Sequence, residues 1–293
     1  MIRFSKYIWL YALISLFVLV PGIYSLVRYG FRPSIDFAGG SLVEYRTSAG
    51  VTTAAVQDAA KDAGIDIVSL QKSGNQAFIV RMKQEPQEKL FLLTQGIEQR
   101  ASVSATAVRN ETVGPVLGQE LLSKTLFAAV LAASAILAYV AWAFKNIRFG
   151  VAAVIALLHD LLVVLGSFSL LGHFLGVEVD TLFVTAFLTT MSFSVHDTIV
   201  VFDRIREYTK RDRNRSFEEI CDIALTETMN RSLTNSFTII FMLVALVLMG
   251  GETVKWFVIA LLIGTVSGTY SSPFVATPVL LLWHRWEHKK RRG

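Results

Sequence analysis

The chain has 293 residues, 53% hydrophobic and 17% charged, with a mean hydropathy of +0.51; soluble domains carry about a quarter charged residues, so composition points to a membrane protein. The formal net charge of +5 does not mark a nucleic-acid binder, because the basic residues cluster beside apolar runs, where they set orientation and meet anionic headgroups. A single cysteine, Cys221, excludes an intramolecular disulfide and a cysteine zinc site.

The first six residues carry Arg3 and Lys6, and an apolar run follows from 7 to 27. It is longer than a signal-peptide core and no A-x-A site follows it, so it reads as a retained signal-anchor helix, with a kink expected at Pro21-Gly22. From 29 to 118 the character changes: charges of both signs appear and no window is long enough to span a bilayer. Residues 41–47 read as a strand, and 52–63 as a helix capped by Thr52 or Thr53 and stopped by Gly64. Runs 67–72 and 76–82 flank Ser73-Gly74-Asn75 and predict a hairpin. Pro86 opens a second helix with Leu90, Leu93 and Ile97 at helical spacing, and 103–108 closes as a strand. The order βαββαβ is the ferredoxin-like split pattern, an α+β domain of ~75 residues. It holds no histidine, cysteine or clustered carboxylates, so nothing in it reads as catalytic.

Five further apolar segments are expected near 122–143, 149–171, 182–202, 233–249 and 256–283. Basic residues fill alternate connections: Lys145 and Arg148; Arg204, Arg206, Lys210, Arg211, Arg213 and Arg215; and a tail with Arg285, Lys289, Lys290, Arg291 and Arg292. The turns 172–181 and 250–255 together hold one basic residue. The positive-inside rule then puts both termini in the cytoplasm and the α+β domain outside. The expected organisation is a polytopic helical membrane protein: 1–28 the first transmembrane helix, 29–118 the periplasmic domain with its linkers, 119–283 the remaining five helices, and 284–293 a basic cytoplasmic tail.

Polar residues inside the apolar runs carry the chemistry. Asp197 sits about five residues before Asp203-Arg204-Ile205-Arg206-Glu207, roughly 7–9 Å short of the helix's polar end. An ionised carboxylate at a membrane helix centre costs about 2.5–3.5 kcal/mol on insertion scales. Two readings stand, an interhelical hydrogen bond or a site that gains and loses a proton, and the second is preferred. His159-Asp160 and His196-Asp197 interrupt two helices, but neighbouring helix positions point about 100° apart, which argues against a metal centre. His159 and His196 read by default as polar packing residues, while Asp160 reads equally as a structural partner or a proton relay. Ser194, Thr190 and Thr198 surround Asp197 on its helix, either holding water beside it or bonding back to their own carbonyls. Arg231 opens the next span at the level expected for Asp197, either pairing with it or snorkelling to headgroups. Gly264, Gly268, Ser272 and Ala276 form a stripe of small residues in the sixth helix, flanked by Ser267 and Ser271; the stripe predicts close helix packing, within the bundle or against a partner.

Several blocks together resemble the SecF family of bacterial protein-export membrane subunits, within the resistance-nodulation-division superfamily. They are Ile35-Asp36-Phe37-Ala38-Gly39-Gly40, Val113-Gly114-Pro115-Val116-Leu117-Gly118, His159-Asp160, the run from Asp197 to Glu207, Arg231, and Gly268-Thr269-Tyr270-Ser271-Ser272. Ser34 stands where the family usually has glycine, and His196 where it has an amide, adding a titratable group beside Asp197. The resemblance implies a subunit with no enzymatic activity and no cofactor. With a SecD-like partner it would use the proton motive force to help unfolded preproteins leave the Sec translocation channel. Asp197 and Arg231 would line the proton path, with Asp160 and His196 as candidate relay residues. Two alternatives remain: a stand-alone proton-coupled exporter of small hydrophobic molecules, and a non-transporting assembly scaffold.

Overall fold

The computed structural model describes residues 4–48, 50–72, 76–143, 146–212 and 214–292. The hairpin turn expected at Ser73-Gly74-Asn75, and the basic residues Arg3, Lys145 and Arg213, lie outside the described residues. The elements are α1 (Ile8–Tyr29), α2 (Ile35–Ala38), β1 (Gly40–Thr47), α3 (Thr53–Asp62), β2 (Ile67–Lys72), β3 (Ala77–Met82), α4 (Gln87–Ala101), β4 (Ala105–Val113), α5 (Pro115–Ala143), α6 (Ile147–Leu175), α7 (Thr181–Arg211), α8 (Phe217–Met249), α9 (Glu252–Ser271) and α10 (Thr277–Arg292). They divide into two units, one of residues 33–127 and one of residues 1–32 with 128–293.

In the first unit a four-stranded sheet runs in the order β2-β3-β1-β4 with every neighbouring pair antiparallel. This is the ferredoxin-like arrangement expected from βαββαβ. Alternation puts Val43 and Tyr45 of β1 and Phe78, Val80 and Met82 of β3 into one core with Val56 and Ala59 of α3 and Leu90, Leu93 and Ile97 of α4. Thr52 Oγ1 accepts from the Ala55 backbone N–H at 3.3 Å and caps α3. The last strand is longer than expected, reaching Val113, because it pairs with β1 along its whole length, from Thr47↔Ala105 to Gly40↔Val113. Its residues are mostly solvent-facing and polar, so periodicity does not reveal the extension. The short α2 was also not expected. It leads into Gly39 and Gly40, at φ +73° and +130°; a Cβ on Gly40 would lie 2.7 Å from the Met82 carbonyl oxygen, so only glycine fits.

Among the described residues six helical segments are long and apolar enough to cross a membrane: Ile8–Tyr29, Pro115–Val140, Ile147–Leu175, Thr181–Arg211, Phe217–Met249 and Val254–Glu287. The chain is a multi-pass membrane protein with the six spans expected. The first span continues through Pro21 as one helix. It meets α6 at a glycine pair, where a Cβ on Gly166 would lie 2.6 Å from Gly22 Cα, close enough for backbone contact.

The fourth and fifth spans run well past their apolar parts. α8 begins at Phe217, with a reciprocal capping box between Ser216 and Glu219. Arg204 of α7 pairs with Glu227 of α8 and with Glu207, and Arg285 pairs with Glu218. Hydropathy detects only the membrane part of such a helix, which is why its polar turns were missed. The sixth span is interrupted between α9 and α10 by a π-helical segment, Ser272–Ala276. Pro273, which lacks a backbone N–H, lies inside it.

Candidate functional site

Asp160 lies near the middle of α6 and is 3% exposed. Both its oxygens are occupied. Oδ1 accepts from Ser267 Oγ at 2.6 Å and contacts His159 Nδ1 at 3.0 Å; Oδ2 accepts from Ser194 Oγ and Ser271 Oγ, each at 2.6 Å. Ser194 belongs to α7, and Ser267 and Ser271 stand one turn apart on α9, so one carboxylate joins three helices. Three hydroxyl donors and the His159 ring nitrogen surround the carboxyl group on both oxygens. Buried charge is tolerable in a bundle when it is satisfied in this way.

Asp197 is also buried, 6% exposed, on α7 where it faces α8. Among the described residues its one hydrogen-bond donor is Ser232 Oγ, at 2.5 Å. It therefore keeps acceptor capacity that Asp160 has used. Of the two readings of Arg231, pairing with Asp197 or snorkelling, no direct pair is formed in this structure: Arg231 is exposed, and its neighbour in sequence, Ser232, makes the contact. Successive helix positions diverge by about 100°, so a single helix cannot aim both residues at one carboxylate in the same way.

The hydroxyls around Asp197 divide. Thr190 Oγ1 donates to the Phe187 carbonyl at 2.8 Å and Thr198 Oγ1 to the Ser194 carbonyl at 3.1 Å, the back-bonding alternative. Ser194 turns to Asp160. His196 is exposed on α7, away from both carboxylates' hydrogen bonds, whereas His159 is buried beside Asp160.

The small-residue stripe packs inside the chain, against α7. A Cβ on Gly264 would lie 2.0 Å from Thr190 Cγ2, and one on Gly268 would lie 3.3 Å from Ser194 Cα. Ser272 Oγ and Thr198 Oγ1 are 3.0 Å apart. This close approach is what brings Ser267 and Ser271 within reach of Asp160.

Sequence reasoning missed four of the residues that complete these sites: Ser232, and Ser194, Ser267 and Ser271 as donors to Asp160. The last two carried a usable signal, since hydroxyls at i and i+4 beside a glycine stripe face whatever the stripe packs on. A further buried carboxylate, Asp222 of α8, accepts from the Ser5 backbone N–H and hydroxyl, both at 2.9 Å, and fixes the start of the chain. Among the described residues no three His, Cys, Asp or Glu side chains converge as a metal site would require.

Residues 94–286 match the family described as protein export membrane protein SecD/SecF, C-terminal, and residues 24–51 match the SecD/SecF GG motif. Gly39 and Gly40 fall in the second match. The chain is 42% identical to the protein translocase subunit SecF of Thermobaculum terrenum over 94% of its own length and 92% of that relative's. It is 37% identical to the same subunit of Anaerolinea thermophila, covering 97% and 96%. Among solved structures it resembles SecDF, a translocon-associated membrane protein from Thermus, with a TM-score of 0.85 and 29% identity over 97% of this chain. A SecDF structure in a super-membrane-facing form gives a TM-score of 0.72 at 28% identity. The chain spans 39% and 40% of the length of those two solved chains. With matches to both family regions and near full-length identity of this order, the chain belongs to the SecD/SecF family of protein export membrane proteins.

Proposed function

We propose that the chain is a SecF-type subunit which, together with a SecD-like subunit, couples the proton motive force to late steps of preprotein export through the Sec channel. The observation that carries this reading is the contrast between the two buried carboxylates. Asp160 is saturated by donors from three helices, while Asp197 has one hydroxyl donor and a cationic residue next to that donor. A carboxylate without full compensation in a membrane interior is the one whose charge state responds to its surroundings. Asp197 is therefore the proton site, and Arg231 the cation that approaches it when the helices shift. Asp160 joins α6, α7 and α9 and carries their relative movement. Moving one charge across the membrane releases ~2.3 kcal/mol per 100 mV, enough to bias a two-state arrangement. A change in ion pairing at Asp197 gives the states the differential energy a switch needs.

The names of the relatives, protein translocase subunits, support the export role. The solved SecDF chains, more than twice as long as this one, support a separate SecD-like subunit supplying the rest. The subunit would lie in the cytoplasmic membrane with both termini inside and the α+β unit outside, an orientation that the basic connections support. Proton flux into vesicles holding the full chain, with and without a SecD-like subunit, tests the reading. Flux that needs both chains is expected; flux through neither preparation contradicts it.

A further inference from the structure

Beside the Asp160 centre lies a cavity of about 350 Å³ lined by α1, α6 and α9, a size within the lower range of small-molecule sites. Its walls are apolar: Ile14 and Val18 of α1, Val163 of α6, and Leu262 and Val266 of α9. Ile14, Val18 and Val266 are 41%, 43% and 50% exposed, so the cavity opens sideways on the outward surface of two membrane spans. His159 lines it, yet only 7% of His159 is exposed, and its Nε2 is buried without a hydrogen-bond partner. A buried, unmatched polar atom in an otherwise apolar chamber is costly unless something meets it.

The other ring nitrogen states what that something is. Nδ1 lies 3.0 Å from an Asp160 oxygen that also accepts from Ser267. The tautomer that complements a carboxylate already taking hydroxyl donors on both oxygens has its proton on Nδ1. In the neutral imidazole Nε2 is then an acceptor, and it calls for a ligand that donates. The other polar groups in the wall are engaged: Ser267 donates to Asp160, Ser15 and Tyr270 face each other at 3.3 Å, and Tyr270 donates to the Tyr11 carbonyl at 2.9 Å. Charge on the ligand is excluded by the apolar walls and the lateral opening.

We infer that the cavity is a binding site for an uncharged, single-chain amphiphile with a hydroxyl head, entering sideways from the bilayer between α1 and α9 and donating to His159 Nε2. Such a ligand is coupled to the bundle's polar centre, because His159 passes the contact directly to Asp160.

The test uses the full chain in nanodiscs with a photoactivatable long-chain alcohol bearing a diazirine in its tail, and peptides are mapped after illumination. Labelling is expected on the α1 and α9 segments around Ile14, Val18 and Val266. Unlabelled hexadecanol should compete about threefold to tenfold better than its methyl ether, which lacks the donor but keeps the chain. Val266→Trp, at an exposed wall position that leaves the core untouched, should abolish the label, and His159→Phe should weaken it by the same factor as the ether. If His159→Phe does not fold, the alcohol-to-ether contrast and Val266→Trp still decide. Equal competition by the ether, stronger competition by palmitate, labelling spread evenly over the exposed faces of α5 and α8, or undiminished labelling of Val266→Trp would each overturn the site.

Discussion

Ser194 of α7 donates its hydroxyl to Asp160 of α6 at 2.6 Å. Only three positions later on the same helix stands Asp197, which accepts from Ser232 of α8. Less than one helical turn therefore separates the attachments of α7 to α6 and to α8. Rotation or translation of α7 that alters the surroundings of Asp197 must also act on the Asp160 centre. The proposed proton site and the packing of the bundle are joined through one short stretch of backbone, without a longer relay.

The first prediction concerns the Asp160 centre. Asp160→Ala leaves three hydroxyls and an imidazole without their acceptor, whereas Asp197→Ala strands one hydroxyl. Hydrogen bonds between membrane helices contribute about 0.6 kcal/mol each on average, reaching about 1.7. Asp160→Ala should lose the larger share of thermal stability, measured by melting of the purified protein in detergent. Ser194→Ala, Ser267→Ala and Ser271→Ala should each cost a fraction of that loss. Equal melting of the Asp160→Ala and Asp197→Ala proteins would contradict the assignment.

The second compares two glycines in one stripe. At Gly264 an added Cβ collides with Thr190 Cγ2 at 2.0 Å and Thr190 Cβ at 2.5 Å; at Gly268 the nearest atom is at 3.3 Å. Gly264→Ala should destabilise by about 1–3 kcal/mol, the range for overpacking a tight core. Gly268→Ala should be milder, and Gly268→Leu severe. Detergent-resistant folded yield and melting temperature give the ranking. Gly264→Ala melting like the parent protein would mean that α7 and α9 do not approach so closely.

Much of the architecture was legible because it rests on periodicity and on the long apolar runs. Leu90, Leu93 and Ile97 identify a helix with one buried face, and β2 was bounded at the residues observed. What was illegible rests on contacts between distant segments. β4 is held as a strand by pairing with β1, though its own residues alternate poorly, and α8 begins at Phe217, well before the apolar segment expected from 233, because a cap and the Arg204–Glu227 and Arg285–Glu218 pairs hold its polar turns. At the site, Asp160 and Asp197 were conspicuous as charges in apolar runs. Their partners were not, because serines are ordinary in membrane helices and only packing tells which of them face a carboxylate. The distance between Arg231 and Asp197 depends on helix rotation, which spacing along the chain does not fix.

Orientation yields the third prediction. Asn110 on β4 and Asn214 in the turn before α8 are both exposed, and the native Cys221 is buried, so it gives little background. In intact cells a membrane-impermeant maleimide should label Asn110→Cys, and should label Asn214→Cys only after permeabilisation. Labelling of Asn214→Cys in intact cells would invert or break the proposed topology.

A fourth concerns Arg231, which is exposed in this structure while its neighbour Ser232 holds Asp197. Should it serve as a cation that meets Asp197 during the cycle, charge matters more than resting contacts. Arg231→Lys should retain part of the gradient-driven export, losing only the planar fork. Arg231→Met should lose nearly all of it, with melting temperature unchanged in both. A Met variant that exports normally would remove Arg231 from the mechanism.

The central claim is that Asp197 works by changing its charge. Asparagine has nearly the same volume and can still accept from Ser232, so Asp197→Asn should assemble normally with a SecD-like subunit, yet it cannot cycle between charged and neutral forms. The direct measurement is preprotein export in membrane vesicles with and without an imposed proton gradient, with co-purification of the SecD-like subunit checked in parallel. The account predicts that Asp197→Asn co-purifies at the parent level and loses the stimulation by the gradient, while Asp197→Glu keeps part of it. An Asp197→Asn protein that assembles and responds fully to the gradient would contradict it.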